Sequence, residues 1–126
     1  MLFTVASSFT DLDALVSIPY LEGQSSLYGC DCLGFVSLCY QVDLKEAYGM
    51  SKQDGIKLLN GLGFQEDKYG ELALMLFKGN SWHLGIIQDD YVYHASQPRK
   101  QVVKDSLLSF NQFIHMRFTF NGIQIL

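Results

Sequence analysis

No stretch of this chain approaches the ~20 consecutive apolar residues that a membrane span requires, and nowhere do its lysines or arginines cluster. The first absence leaves no membrane segment. The second removes the electrostatic footprint that a phosphate backbone demands, and the net charge of -4 with a pI near 5.1 points the same way. Neither nucleic acid nor membrane is an expected partner. Cysteine is scarce and odd in number. Cys30 and Cys32 are separated by one residue, a spacing unsuited to a bridge between them, and Cys39 stands apart. A disulfide scaffold is the weaker reading, so any role for these thiols is a reduced one. The opening MLFTVASSFTDLDAL lacks a basic start, and Ser7, Ser8, Thr10 and Asp11 break its apolar stretch, unlike a signal peptide. The expectation is synthesis in the cytoplasm without the usual export signal. Glycine-rich phosphate loops, Gly-x-Ser-x-Gly elbows and His-Glu-x-x-His motifs are also missing. No cofactor is expected.

What is present suffices for one core. At 126 residues, 48% hydrophobic and 13% aromatic, the chain can offset its conformational entropy as a single domain spanning residues 1-126. Thr10-Asp-Leu-Asp13 resembles a capping box ahead of Leu12, Leu15 and Val16, predicting a short helix to about Ser17 that Pro19 stops. The glycine- and serine-rich stretch from Leu21 to Gly29 reads as a loop. Asp31 then offers an N-cap for a second helix, on which Cys32, Phe35, Val36 and Cys39 recur at i, i+3, i+4 and i+7 and share one face. Ser51 and Asp54 suit the start of a third helix carrying Ile56, Leu59 and Leu62, with Gly61 and Gly63 as its stop.

Beyond that point the period changes. Segments 71-77, 83-88 and 91-96 are short, apolar and rich in β-formers, with Gly79-Asn80 and Asp89-Asp90 as turns; 101-104 adds a further strand. Over 112-120 the alternation puts Ile114, Met116, Phe118 and Phe120 on one side and His115 on the solvent side. Helices first and strands after predict an α+β domain, with helices packed on an antiparallel sheet.

A thiol in the first turn of a helix sits among unpaired N-H groups at the positive end of the dipole, which favours its thiolate. Cys32 has that position, although a buried structural cysteine fits it equally well. The histidines add a second signal. A two-residue Asp89-Asp90 turn pairs Gln88 with Tyr91, Ile86 with Tyr93 and Gly85 with His94, placing His83 opposite Ser96. His83 and His94 are then diagonal neighbours at roughly 7 Å on one face, with Gly85 leaving open space between them. That is the arrangement of a nucleophile, a base and an orienting group. It depends on register, since a slip of one residue moves His94 to the other face, and two half-exposed histidines on a sheet remain the bland reading. Four zinc ligands from Cys30, Cys32, His83 and His94 form a minor alternative, which gives no reason for Cys32 to open a helix.

In order along the chain, IPYLEG, YGCDCLGFV, WHLGII and YVYHAS resemble the signatures of the NlpC/p60 family of cell-wall cysteine peptidases. GELALMLF, QVVKDSL and HMRFTF extend the likeness over most of the chain. The resemblance implies a papain-like fold with a sheet of about five or six strands. It assigns Cys32 as nucleophile, His83 as general base and then acid, and His94 as the orienting third group. Tyr20 and Asp31 correspond to substrate-side residues. The implied reaction is hydrolysis of a stem-peptide amide in peptidoglycan, typically between γ-D-glutamate and a diamino acid.

The GCDCLG form is similar to the branch found in phage tails and phage-derived particles. It implies delivery to the wall as part of such an assembly, with protein partners there. Leu33 stands where many members carry the serine that helps hold the amino end of the stem peptide, so the preference for a free terminal L-alanine is not carried over. Two other readings stay open: a structural tail component with weak or latent activity, and an amidase or acyltransferase on the same scaffold.

Overall fold

The computed structural model describes residues 2-3, 11-77, 81-121 and 124-125. Its centre is a nine-residue helix, α1 (Cys32–Tyr40), laid against a six-stranded antiparallel sheet. The strands of that sheet are β4 (Phe64–Glu66), β5 (Leu72–Leu76), β6 (Trp82–Gln88), β7 (Tyr91–Ser96), β8 (Gln101–Ser106) and β9 (Ile114–Phe120), in the spatial order β4-β9-β5-β6-β7-β8. A ten-residue helix, α2 (Lys52–Gly61), precedes the sheet, and a single turn, α3 (Leu107–Phe110), joins β8 to β9. Two minor ribbons complete the fold: β1 (Leu2–Phe3) with β10 (Gln124–Ile125), and β2 (Ser25–Ser26) with β3 (Gly29–Cys30). The predicted α+β architecture is the observed one.

Asp31 caps α1 as its sequence position suggests. Its backbone is extended, and Oδ1 accepts from the N-H of Gly34 at 2.7 Å. Phe35, Val36, Cys39 and Tyr40 are buried against Leu72, Leu74, Leu84, Ile86, Tyr93 and Phe118. Full burial of one such side chain contributes roughly 1.5–3 kcal/mol. The opposite face of the sheet is covered too. Ala73, Met75, Ile87 and Val92 lie beneath Phe77, Leu107, Phe110, Phe113 and Ile114. Double coverage explains why β5 and β7 are nearly continuously buried rather than alternating.

Several expectations need correction. The short helix expected ahead of Pro19 is present, as a 3-10 segment over residues 11-15. Its bonds run from Val16 to Asp13 and from Ile18 to Leu15, and Ser17 turns left-handed (φ 82°), which ends the helical path before Pro19 does. Thr10 and the Gly79-Asn80 turn lie outside the described residues. The stretch expected as a loop folds in part into the β2–β3 ribbon. In β9 the alternation breaks. The register against β5 shifts between Leu74 and Met75, so Leu74 pairs with Met116 while Met75 pairs with Ile114. The extra residue, His115, is exposed, and the bulge sends Ile114 to the face opposite Met116, Phe118 and Phe120.

Candidate active site

The β6–β7 hairpin carries the pairings Gln88 with Tyr91 and Ile86 with Tyr93 that its turn predicts, and there the ladder stops. Gly85 and His94 are not paired, nor are His83 and Ser96. Hydrogen bonds from Phe77 to Ser81 and from Ile87 to Glu71 set the phase of the β5–β6 ladder. Odd-numbered residues of β6 therefore bond to β5, and the N-H groups of Leu84, Ile86 and Gln88 point toward β7. Past Ile86 the N-H of Leu84 has no strand partner there, and it donates to the sulfur of Cys32. The parting of the two strands thus makes room for the first residue of α1.

His83 and His94 meet directly. Nε2 of His83 is 2.9 Å from Nδ1 of His94, with the rings edge-to-face. Gly85 leaves no opening between them, contrary to expectation. A Cβ at Gly85 would lie 2.9 Å from Met75 Cε and 3.0 Å from Val92 Cγ1, so its surroundings are packed. Phe77 lies against His83 and Phe110 against His94, with centroids 5.2 and 5.1 Å apart. Cys32, His83 and His94 line one cavity of about 540 Å³ together with Tyr20. A second cavity, of about 200 Å³, opens on the other side of Cys32 and is lined by Tyr20, Glu22, Asp31, Tyr48 and Trp82. Tyr20 and Cys32 therefore stand where the two cavities meet.

Burial sets the protonation states. It pushes the Cys32 thiol up to about 11, and the charge of Asp31 adds to the rise; the backbone donors of Leu84, Leu33 and Cys32 itself act in the opposite direction without prevailing. The expected thiolate at a helix N-terminus is thus not the resting form, because desolvation outweighs the backbone donors around the sulfur. Burial drives His83 down to about 3, with His94 as the lesser cause. The pair rests as thiol and neutral imidazole. Tyr20 is raised to about 12 by burial and then by Cys32, so its hydroxyl keeps its proton.

Asp31 is only 2% exposed. Besides capping α1, its Oδ2 accepts from the N-H of Gly23 at 2.7 Å and from the hydroxyl of Tyr48 at 2.6 Å. It ties the loop before Cys32 to the segment after α1, in addition to lining the smaller cavity. Leu33 is buried in the core. The zinc alternative does not fit: the facing nitrogens of the two histidines engage each other, and Cys30 is buried. Among the described residues, no group of three or more His, Cys, Asp and Glu side chains is arranged to hold a metal ion.

Two polar residues escaped the sequence reading. Oδ2 of Asp105 is 2.7 Å from Nε2 of His94, and Arg99 binds the same carboxylate through Nη1 (2.8 Å) and Nη2 (2.5 Å). The available signal was the hairpin formed by Gln97-Pro-Arg-Lys100. Pairing Ser96 with Gln101 across it sets Asp105 opposite Val92 and diagonal to His94. A strand expected to end at Lys104 missed it by one residue.

No protein-family profile matches the chain, and no curated protein matches it. Among solved structures, it is similar to the NlpC/p60 domain of the peptidoglycan hydrolase SagA, with a TM-score of 0.59 over 95% of this chain and 100% of that one, at 19% identity. The chain has the NlpC/p60 fold. At that identity the likeness establishes the architecture alone.

Proposed function

We propose that this protein is a peptidoglycan hydrolase, a cysteine endopeptidase cleaving an amide of the stem peptide, typically the γ-D-glutamyl-diamino acid bond. The observation that carries the reading is the presence of Cys32, at the amino end of α1, in one cavity with the hydrogen-bonded His83–His94 pair. The NlpC/p60 fold, held in common with a peptidoglycan hydrolase domain, supports the substrate class.

In this reading Cys32 Sγ attacks the scissile carbonyl as its proton passes to His83. Because thiol and imidazole both rest neutral, proton transfer accompanies attack rather than preceding it. The oxyanion forms beside the amino end of α1, within reach of its N-H groups and of the protonated Tyr20 hydroxyl. His83 returns the proton to the leaving amine as the C-N bond breaks, giving a thioester. Water then attacks the thioester, and His83 takes its proton. The second oxyanion collapses with the sulfur as leaving group, His83 returns the proton to it to restore the thiol, and the released carboxylic acid gives its proton to solvent.

Tyr20 and Asp31 border the smaller cavity that reaches Cys32, and in this reading they serve the substrate there. Delivery within a phage tail or phage-derived particle, with protein partners there, belongs to the same proposal and rests on the GCDCLG form of the nucleophile signature. The test is a defined stem peptide incubated with wild type and Cys32→Ala. Cleavage by the first alone supports the reading. A well-folded wild type that releases nothing would favour a structural role.

A further inference from the structure

We infer that Asp105, clamped by Arg99, fixes the proton order of the histidine pair and so leaves Nδ1 of His83 as the ring nitrogen free to take the thiol proton. This rests on the reading of Cys32 as nucleophile and His83 as base, and it adds a positioning residue to the site.

Donor and acceptor parity fixes the order of the protons. A neutral imidazole carries one N-H and one lone pair, whereas an ionised carboxylate only accepts. Arg99 and then His94 hold Asp105 below the usual carboxylate range, so it stays ionised. Nε2 of His94, 2.7 Å from Oδ2, must therefore carry the hydrogen. His94 is 3% exposed, and its burial opposes a second proton. Its Nδ1 is then a lone pair, and Nε2 of His83, 2.9 Å away, must donate to it. His83 is itself held neutral, so its own lone pair falls on Nδ1. The reverse order would set a lone pair of His94 against the carboxylate.

Among the described residues, aromatic rings pack against both imidazoles. Phe110 lies on His94, Phe77 lies on His83, and Phe113 backs both phenylalanines. Asp105 is positioned from β8, diagonal to His94, while Arg99 caps the carboxylate from the turn before that strand. The Arg99 side chain is 48% exposed against 16% for Asp105, so the guanidinium forms the solvent side of the network. A wrong tautomer at such a pair leaves the geometry intact and removes the base.

The tautomers can be read directly from long-range proton–nitrogen correlations on the full chain labelled with 15N-histidine, near pH 7. The expected result is that His83 and His94 are both protonated at Nε2. A hydrogen on Nδ1 of either in the wild type overturns the inference. In Asp105→Ala, His94 should lose its single tautomer, and kcat on the stem peptide should fall on the order of 10- to 1,000-fold with KM within about twofold. A folded Asp105→Ala with wild-type kcat overturns the inference as well. Failure of the hydrolase reading is distinguishable. A wild type with the expected tautomers that cleaves no peptidoglycan keeps the proton order and loses the substrate, whereas cleavage with His94 protonated at Nδ1 does the opposite.

Discussion

His83 and His94 touch through Nε2 and Nδ1 at 2.9 Å, at the point where the strands that carry them cease to pair. The two facts are linked. An intact ladder would satisfy the N-H of Leu84 within the sheet, but the parted strands release it to Cys32, one residue from the proposed base. The same break brings the amino end of a buried helix up to the histidine pair.

The raised thiol gives a pH dependence with a definite sign. With Cys32 near 11, little thiolate exists at neutral pH, and its alkylation rate should rise about tenfold per pH unit from 7 to 9. Iodoacetamide labelling followed by peptide mapping measures this. A plateau near pH 7 would show a preformed thiolate. Cys39, buried and raised to about 12, should label after Cys32; labelling in the reverse order contradicts the placement of α1.

Acid should destabilise the fold through the histidines. His83 stays neutral in the folded chain down to about pH 3, whereas the unfolded chain protonates it near 6.5. Between those values the unfolded state binds more protons, so stability falls as pH drops through that window. His94, also lowered, acts in the same direction. Urea midpoints from pH 7 to 4.5 should decline less steeply in His83→Gln than in wild type. Parallel slopes would mean that His83 is not held neutral by the fold.

Asp31→Ala should cost stability as well as activity. The substitution removes the cap of α1 and the acceptor for Gly23 and Tyr48. Loss of the cap and of hydrogen bonds to a buried charge amounts to about 3 kcal/mol, a fall in Tm of roughly 10 °C. An unchanged melt would assign Asp31 to substrate alone.

Gly85→Ala tests the packing between the strands. The added methyl meets Met75, Val92 and the Tyr93 carbonyl, the last at 3.2 Å. A loss of about 1–3 kcal/mol in thermal or urea unfolding follows. Full stability would restore the open space that the sequence suggested.

Local signals were legible where a side chain acts on its own backbone or its own element. Asp31 and Ser51 cap the helices they were expected to cap, and the Asp89-Asp90 turn set the register of Ile86 and Tyr93. Illegible features were those decided by neighbours distant in sequence. His115 forms a bulge only because β9 lies beside β5. Asp105 acquires meaning only through the diagonal across β7 and β8. The Cys32 thiol follows its burial rather than the helix end on which it sits. Periodicity could not show that both faces of the sheet are covered, because α3 and the residues after it pack onto a side with no periodic partner of its own.

In the proposed reaction the Cys32 thiol opens a stem-peptide amide. Mass spectrometry of soluble fragments from purified Gram-negative peptidoglycan, digested with wild type and with folded Cys32→Ala, tests it most directly. Wild type should release stem-peptide fragments bearing a new carboxyl and a new amine, and the variant none. Equal fragments from both proteins would contradict the thiol mechanism.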